Sequence, residues 1–129
     1  MGSAFWGFNM ENLSQKKTFK SFREFWPFYL GQHLHGRCRI LHFLGTSVAA
    51  TLILVAVLTG ALSWLLLALM AGYGFAWWGH FAFEKNKPAT FRYPLYSFLG
   101  DWKMFWMMLQ GTLESELKRW GYDGRGGGN

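Results

Sequence analysis

The chain has 129 residues, enough for one domain, and 51% of them are hydrophobic and 20% aromatic. This composition is too apolar and too aromatic for a typical soluble domain of this length. The formal net charge is +6, but Lys and Arg are scattered among apolar segments. That distribution argues against nucleic acid as the partner and favours anionic lipid headgroups. The single cysteine, Cys38, excludes an internal disulfide, and we interpret it as a bystander.

The chain begins with an extension, residues 1–18, that contains no recognisable targeting signal. The next predicted element is a short helix capped by Thr18. Its aromatic residues recur at helical spacing and fall on one face: Phe19, Phe22, Phe25, Trp26 and Tyr29. Such a face predicts an amphipathic helix that lies in the membrane surface. Pro27 predicts a bend or a break in that helix.

The central segment is the most informative part of the chain, because residues 40–83 contain no Asp, Glu, Lys or Arg. A bilayer-spanning helix needs about 20 apolar residues, so this segment is long enough for two. We predict spans at Leu41–Leu58 and Leu62–Phe83, separated at Thr59 and Gly60. A chain of this length cannot enclose two helices that are apolar on every face, so the sequence predicts a transmembrane hairpin.

The charges that flank the hairpin predict its orientation. Basic residues precede the first span and follow the second, whereas the intervening turn is uncharged: Arg37, Arg39, Lys85, Lys87 and Arg92. The positive-inside rule then places both termini in the cytoplasm. The membrane would be a bacterial inner membrane or, in a eukaryote, that of the endoplasmic reticulum.

The segment Leu95–Leu109 is apolar again but contains Asp101 and Lys103. We expect an interfacial helix there, in preference to a re-entrant helix or a third span. The predicted fold class is therefore an all-α integral membrane protein, in which interfacial helices flank a two-helix hairpin.

The C-terminal segment, residues 112–129, combines a polar helix end with a Gly-rich tail. Glu114 and Lys118 have the i,i+4 spacing of a helical ion pair, which indicates a solvated helix. We expect the tail beyond it to be disordered.

Three of the four histidines are predicted to meet at one end of the hairpin. His42 and His80 are equidistant in sequence from the turn, so antiparallel helices place them at the same membrane depth. His33 can fold back over the same place from the preceding helix. Glu84 follows His80 by four residues and would share its face if the helix continued. His35 would point away from His33, and we assign it no partner.

This group of side chains allows several functions. Imidazoles with a carboxylate and open positions form the ligand set of non-haem iron(II) oxygenases. Alternatively, His42 and His80 could clamp a b-type haem and make the protein an electron carrier. The histidines could also be interfacial anchors in a non-catalytic membrane scaffold.

Three blocks of sequence resemble the Mpo1-like family: FWPFYLGQH at Phe25–His33, RILHFLGT at Arg39–Thr46, and GHFAFEKNKPATF at Gly79–Phe91. The resemblance covers residues 19–111, which we take as the membrane domain. It implies an iron(II)-dependent membrane dioxygenase of fatty-acid α-oxidation. Such an enzyme uses O₂ to shorten a 2-hydroxy fatty acid by one carbon.

Carried over by position, the resemblance implies that His33, His42 and His80 bind Fe²⁺ and that Glu84 is the catalytic carboxylate. Cations at the lipid–water boundary suit the carboxylate of an amphiphilic substrate. We therefore expect substrate binding by the basic residues of that boundary: Arg37, Arg39 and Lys85. The other partners would be O₂ and membrane lipids, and the sequence leaves the oligomeric state open.

Overall fold

The computed structural model describes residues 18–122, so the Gly-rich tail and nearly all of the N-terminal extension lie outside it. All of the regular elements in that range are helical. They are α1 (Phe22–Gly31), α2 (Gly36–Thr59), α3 (Ser63–Gly79), a π-helical turn (His80–Glu84), a 3₁₀ turn (Ala89–Phe91), α4 (Pro94–Gln110) and α5 (Leu113–Arg119).

Helices α2 and α3 form the predicted antiparallel hairpin. In the described part of the chain, two helical stretches are long and apolar enough to cross a membrane, Gly36–Thr59 and Ser63–Glu84. The turn between them begins at Gly60, whose φ of 73° lies in the left-handed region that glycine adopts without strain. Helix α2 begins at Gly36 rather than at the predicted Leu41.

The outer surface of the hairpin is apolar. Several large aliphatic side chains near the turn are more than half exposed: Leu54, Val57, Leu58, Leu62, Leu66 and Met70. Apolar patches of this extent are rare on soluble monomers, whereas they match the hydrocarbon of a bilayer. This surface supports the prediction of a membrane protein.

Glycines allow the hairpin helices to touch at the end where the histidines lie. A Cβ added to Gly45 would lie 2.8 Å from Phe75 Cβ, and one added to Gly79 would lie 2.9 Å from Cys38 Sγ. Any larger residue at either position would push α2 and α3 apart. The glycines thus have the packing role common in transmembrane helix pairs, and Cys38 is part of the same contact.

Helix α1 differs from its prediction. Its N-cap is Ser21, which accepts a hydrogen bond from Glu24 N–H, so Thr18 does not cap it and Phe19 precedes it. Pro27 does not break the helix, which continues to Gly31.

The aromatic face of α1 packs against protein rather than against lipid. Phe25, Trp26, Tyr29 and Leu30 are buried in a core to which α4 and α5 also contribute. Phe25, for example, contacts the ring of Tyr96 at a centroid distance of 5.4 Å. The prediction that this face enters the membrane surface is wrong, because the later helices cover it.

Helix α5 is part of the same core and is not a solvated helix end. Leu113 and Leu117 are buried beside α1, and Trp26 Nε1–H donates to Glu116 Oε2 at 2.7 Å. Glu114 forms its ion pair with Arg39, at 3.2 Å, rather than with Lys118. Residues beyond 111 therefore help to hold the fold together.

Helix α4 contacts both α1 and α2. Its outward-facing side chains are apolar and more than 40% exposed: Leu95, Phe98, Leu99, Trp106 and Leu109. Its two charged groups contact other parts of the protein. Asp101 accepts a hydrogen bond from Tyr29, and Lys103 Nζ lies 4.2 Å from the centre of the Trp26 ring. The interfacial position of α4 in a bilayer stays a prediction.

Candidate metal centre

Three elements each place one histidine at the open end of the hairpin. His33 lies in the connection between α1 and α2, His42 lies in α2, and His80 begins the π-helical turn. His33 Nε2 is 3.2 Å from His42 Nε2 and 3.0 Å from His80 Nε2. All three side chains are buried. The predicted meeting of these residues is confirmed.

The π-helical turn follows α3 without a break and holds His80 at the end of the second span. The turn is closed where Lys85 adopts a left-handed φ of 59° and its N–H bonds to His80 O. Asn86 N–H bonds to the same carbonyl oxygen at 3.2 Å. π-Helical turns inside α-helices occur frequently at functional sites.

The outer nitrogen of each imidazole faces an oxygen acceptor. Nδ1 of His33 lies 2.7 Å from Tyr29 O, Nδ1 of His80 lies 2.7 Å from Asn86 Oδ1, and Nδ1 of His42 lies 3.4 Å from Asp101 Oδ1. Because carbonyl oxygens only accept, the contacts of His33 and His80 assign the proton to Nδ1, and the nearby Asp101 carboxylate favours the same tautomer of His42. The Nε2 lone pairs are then left facing one another, as they do around a metal ion.

This donor set fits one divalent cation. Two nitrogens bound to the same ion at about 2.1 Å, at angles of roughly 90–100°, lie about 3.0–3.2 Å apart. In the described residues the group that could hold a metal consists of these same three histidines. Burial lowers the pKa of His33 well below its usual value, and His42 and His80 lower it further. The imidazole is therefore in the neutral form that binds metals.

A small cavity of about 10 Å³ adjoins the cluster and is lined by all three histidines and by Ser97. Ser97 Oγ is buried and has no hydrogen-bond partner among the described residues, so it can donate to a group bound at the histidines. Space of this size suits a water-sized ligand. The geometry does not favour a haem held between His42 and His80, because His33 Nε2 lies within 3.2 Å of the Nε2 atoms of both.

Tyr29 and Asp101 support the cluster, and the sequence analysis gave neither of them a role there. Tyr29 O–H donates to Asp101 Oδ1 at 2.5 Å. Burial raises the pKa of Tyr29 well above its usual value, and the Asp101 carboxylate adds to the effect, so the phenol stays protonated. The sequence contained a signal for Asp101, because a charged residue in an otherwise apolar segment is a functional candidate.

Glu84 lies away from the three Nε2 atoms. Its Oε2 accepts a hydrogen bond from His35 N–H at 2.6 Å, which ties the π-helical turn to the start of α2. His35 also caps α2, because its Nδ1 accepts from Arg37 N–H at 3.2 Å. The expectation that His35 has no partner is wrong, although it does stay outside the cluster.

The three predicted substrate-binding cations do not meet at the cluster. Arg39 donates to the carbonyl oxygens of His33 and Leu34, both at 2.9 Å, and so fixes the connection that carries His33. Arg37 lies 5.8 Å from the centre of the Phe83 ring, and Lys85 is exposed. These cations do not line either described cavity beside His42.

Most of the chain matches the model of a known protein family. The profile of the family described as 2-hydroxy-palmitic acid dioxygenase Mpo1-like matches residues 19–113. The chain belongs to the Mpo1-like family. No curated protein and no solved structure matches it. Its Mpo1-like region contains the three clustered histidines and the residues that face their outer nitrogens. The family description names a dioxygenase of 2-hydroxy-palmitic acid, and the structure adds a group of three buried histidines that could hold a metal ion.

Proposed function

We propose that this Mpo1-like chain is an integral membrane dioxygenase that uses iron(II) and O₂ to shorten 2-hydroxy fatty acids by one carbon. The observation that carries the proposal is the convergence of three buried Nε2 atoms at distances of 3.0 and 3.2 Å. A ferrous ion bound there would supply positive charge for the oxygens of a 2-hydroxy acid and a redox centre through which the substrate's electrons reach O₂. The description of the matched family supports the same substrate class.

The chain's own residues have separable tasks in this proposal. His33, His42 and His80 hold the ion through Nε2. The Tyr29 carbonyl oxygen, the Asp101 carboxylate and the Asn86 amide hold the outer nitrogens, which fixes ring tautomer and direction. The Ser97 hydroxyl donates a hydrogen bond to an oxygen of a bound group, since residues 18–122 offer it no other partner.

The overall reaction balances without a further reductant. A 2-hydroxy acid and one O₂ give the acid one carbon shorter, CO₂ and water. The substrate supplies all the electrons that reduce O₂. The chain therefore has no need of a reductase partner or an organic cofactor for turnover.

We assign the remaining predicted site residues from their contacts. Glu84 is a positioning residue in this scheme, because its carboxylate is bonded to His35 N–H. Arg39 also positions His33, through the carbonyl oxygens of the connection. Arg37 and Lys85 lie near the same end of the hairpin and stay as candidates for attracting the substrate carboxylate at the membrane surface.

The test is turnover by protein purified in detergent without oxygen and loaded with Fe²⁺. We expect O₂ uptake and formation of the fifteen-carbon acid from 2-hydroxypalmitate, loss of both on chelation, and recovery on adding Fe²⁺. His80→Ala should lower turnover by at least about 100-fold and remove bound iron, because it deletes a ligand.

His35→Ala is the matched control, since His35 lies close by but outside the cluster. It should keep bound iron and most of the turnover, with a stability cost of about 1 kcal/mol for the lost helix cap. Turnover that survives chelation, or that is unchanged in His80→Ala, would rule out the metal mechanism.

A further inference from the structure

An apolar groove of about 320 Å³ runs along the hairpin between α2, α3 and α4. The hairpin contributes small and aliphatic side chains to its walls, among them Ala49 and Ile53 on α2 and Ala68 and Gly72 on α3. Helix α4 contributes the aromatic side chains of Phe98 and Trp102. The volume lies within the range of natural sites for lipid-sized ligands.

The groove exists because small residues face each other there. A Cβ added to Gly72 would lie 3.8 Å from Ala49 Cβ, an ordinary van der Waals contact. At Gly45, one added carbon would already clash with Phe75, at 2.8 Å. The two helices are therefore close at both positions, and the groove lies beside their contact, on the side that faces α4.

The groove adjoins the metal centre. His42 and Asp101 line both the groove and the small cavity beside the cluster. The groove is also open along its side, where Leu69 is 52% and Phe98 45% exposed. A lipid in the surrounding bilayer could therefore enter it sideways without leaving the hydrocarbon.

The length of the groove matches that of a long alkyl chain. From His42 to Ile53, α2 advances roughly 16 Å at 1.5 Å per residue. An extended chain with carbon–carbon bonds of about 1.5 Å advances about 1.25 Å per carbon, so about 13 carbons fill this length. Counted from His42, Ala49 and Gly72 lie beside about the eighth carbon of such a chain.

We propose that this groove holds the alkyl chain of a long-chain 2-hydroxy fatty acid, whose first two carbons lie at the histidines and whose methyl end lies between Ile53 and Leu65. This inference rests on the proposed function for the identity of the polar end. It adds a binding site, a path from the bilayer and a determinant of chain length. Ala49 and Gly72 set the depth to which a chain can enter.

The test narrows the groove without changing the cluster. In Ala49→Leu or Gly72→Leu the added side chain fills the middle of the groove. The ratio of kcat/KM for the sixteen-carbon to the ten-carbon 2-hydroxy acid should fall at least about tenfold, the discrimination expected from a few misplaced methylenes. Gly74→Leu is the control, because Gly74 is exposed and an added Cβ would meet nothing within 4 Å.

A second measurement does not depend on turnover. 2-Hydroxypalmitate with a diazirine at its methyl end is photolysed with the protein in phosphatidylcholine vesicles, and the labelled peptides are identified by mass spectrometry. We expect labelling near Ile53 and Leu65 that excess 2-hydroxypalmitate competes away and that Ala49→Leu abolishes. Labelling that the competitor leaves unchanged would mean that bilayer lipid fills the groove, and the inference would be wrong.

The two measurements distinguish a failure of the groove inference from a failure of the proposed function. An active wild type whose chain-length profile is the same in Ala49→Leu would refute the groove and leave the dioxygenase intact. Competed labelling in a protein without turnover would support the groove and refute the dioxygenase.

Discussion

At the scale of single residues, the metal centre depends on groups that contact the imidazoles from outside. Asn86 is the clearest case. Its Oδ1 lies 2.7 Å from His80 Nδ1, and its Nδ2–H donates to Gln32 O at 3.4 Å. One amide thus orients a metal-binding ring and connects the loop after α3 to the end of α1.

We expect Asn86→Leu to weaken iron binding by about 10- to 100-fold, because the His80 ring loses the acceptor that fixes its tautomer. Asn86→Asp keeps an acceptor at the same position and should restore most of the affinity. Iron affinity measured by anaerobic titration tests this. Equal affinities in wild type and Asn86→Leu would show that the contact has no role in binding metal.

At the scale of elements, α1 and α5 form a support beside the hairpin. The indole N–H groups of Trp26 and Trp120 donate to Glu116 Oε2 at 2.7 and 3.1 Å. Burial alone raises the pKa of Glu116, but these two bonds and nearby Arg119 hold the resulting pKa below its usual value. The ionised carboxylate therefore stabilises the docked state of α5.

The sign of the pH effect follows from that lowered pKa. The stabilisation is complete above the pKa that Glu116 has in the unfolded chain, and it is lost as the pH falls through the folded-state pKa. We expect Glu116→Gln to lower the free energy of unfolding by about 1–3 kcal/mol at neutral pH. The difference from wild type should shrink below about pH 4.5.

Thermal unfolding in detergent across this pH range measures the effect. Glu114→Gln is the matched control on the same helix, because the Glu114 side chain is 72% exposed in its ion pair with Arg39. Exposed pairs contribute about 0–1 kcal/mol, so this variant should resemble wild type. A pH-independent difference between Glu116→Gln and wild type would contradict the charged role of Glu116.

At the scale of the whole molecule, we predict that the hairpin crosses the membrane with both of its ends on the same side. We expect a Cys38→Ala background carrying Lys20→Cys or Lys118→Cys to react with a membrane-impermeant maleimide on one face of sealed vesicles. Leu62→Cys, in the turn, should react only on the other face, since the two spans separate these positions. Labelling of all three thiols from the same face would show that the hairpin does not cross the bilayer.

The hairpin could be predicted from the sequence because it depends on local composition. Residues 40–83 carry no charge, and a bilayer requires any such segment to be helical. The pairing of His42 with His80 follows from their equal distances to the turn, and the structure confirms it with ring centroids 5.0 Å apart. The family resemblance identified the same three histidines.

The remaining features of the site depend on contacts between segments far apart in the chain. Tyr29 and Asp101 are separated by 72 residues, and Trp26 and Glu116 by 90. The periodicity of a single helix does not indicate such a pairing. For this reason the aromatic face of α1 was interpreted as a membrane-surface face, and Asp101 only as evidence against a third transmembrane span.

The sequence by itself therefore determined the apolar hairpin and the pairing of His42 with His80, because both follow from composition and from spacing along the helices and turn. Only the tertiary structure decided which groups contact the imidazoles, that Glu84 bonds elsewhere, and that a groove adjoins the cluster along the hairpin. The physical reason is that side-chain partners and cavities arise from the packing of several helices together.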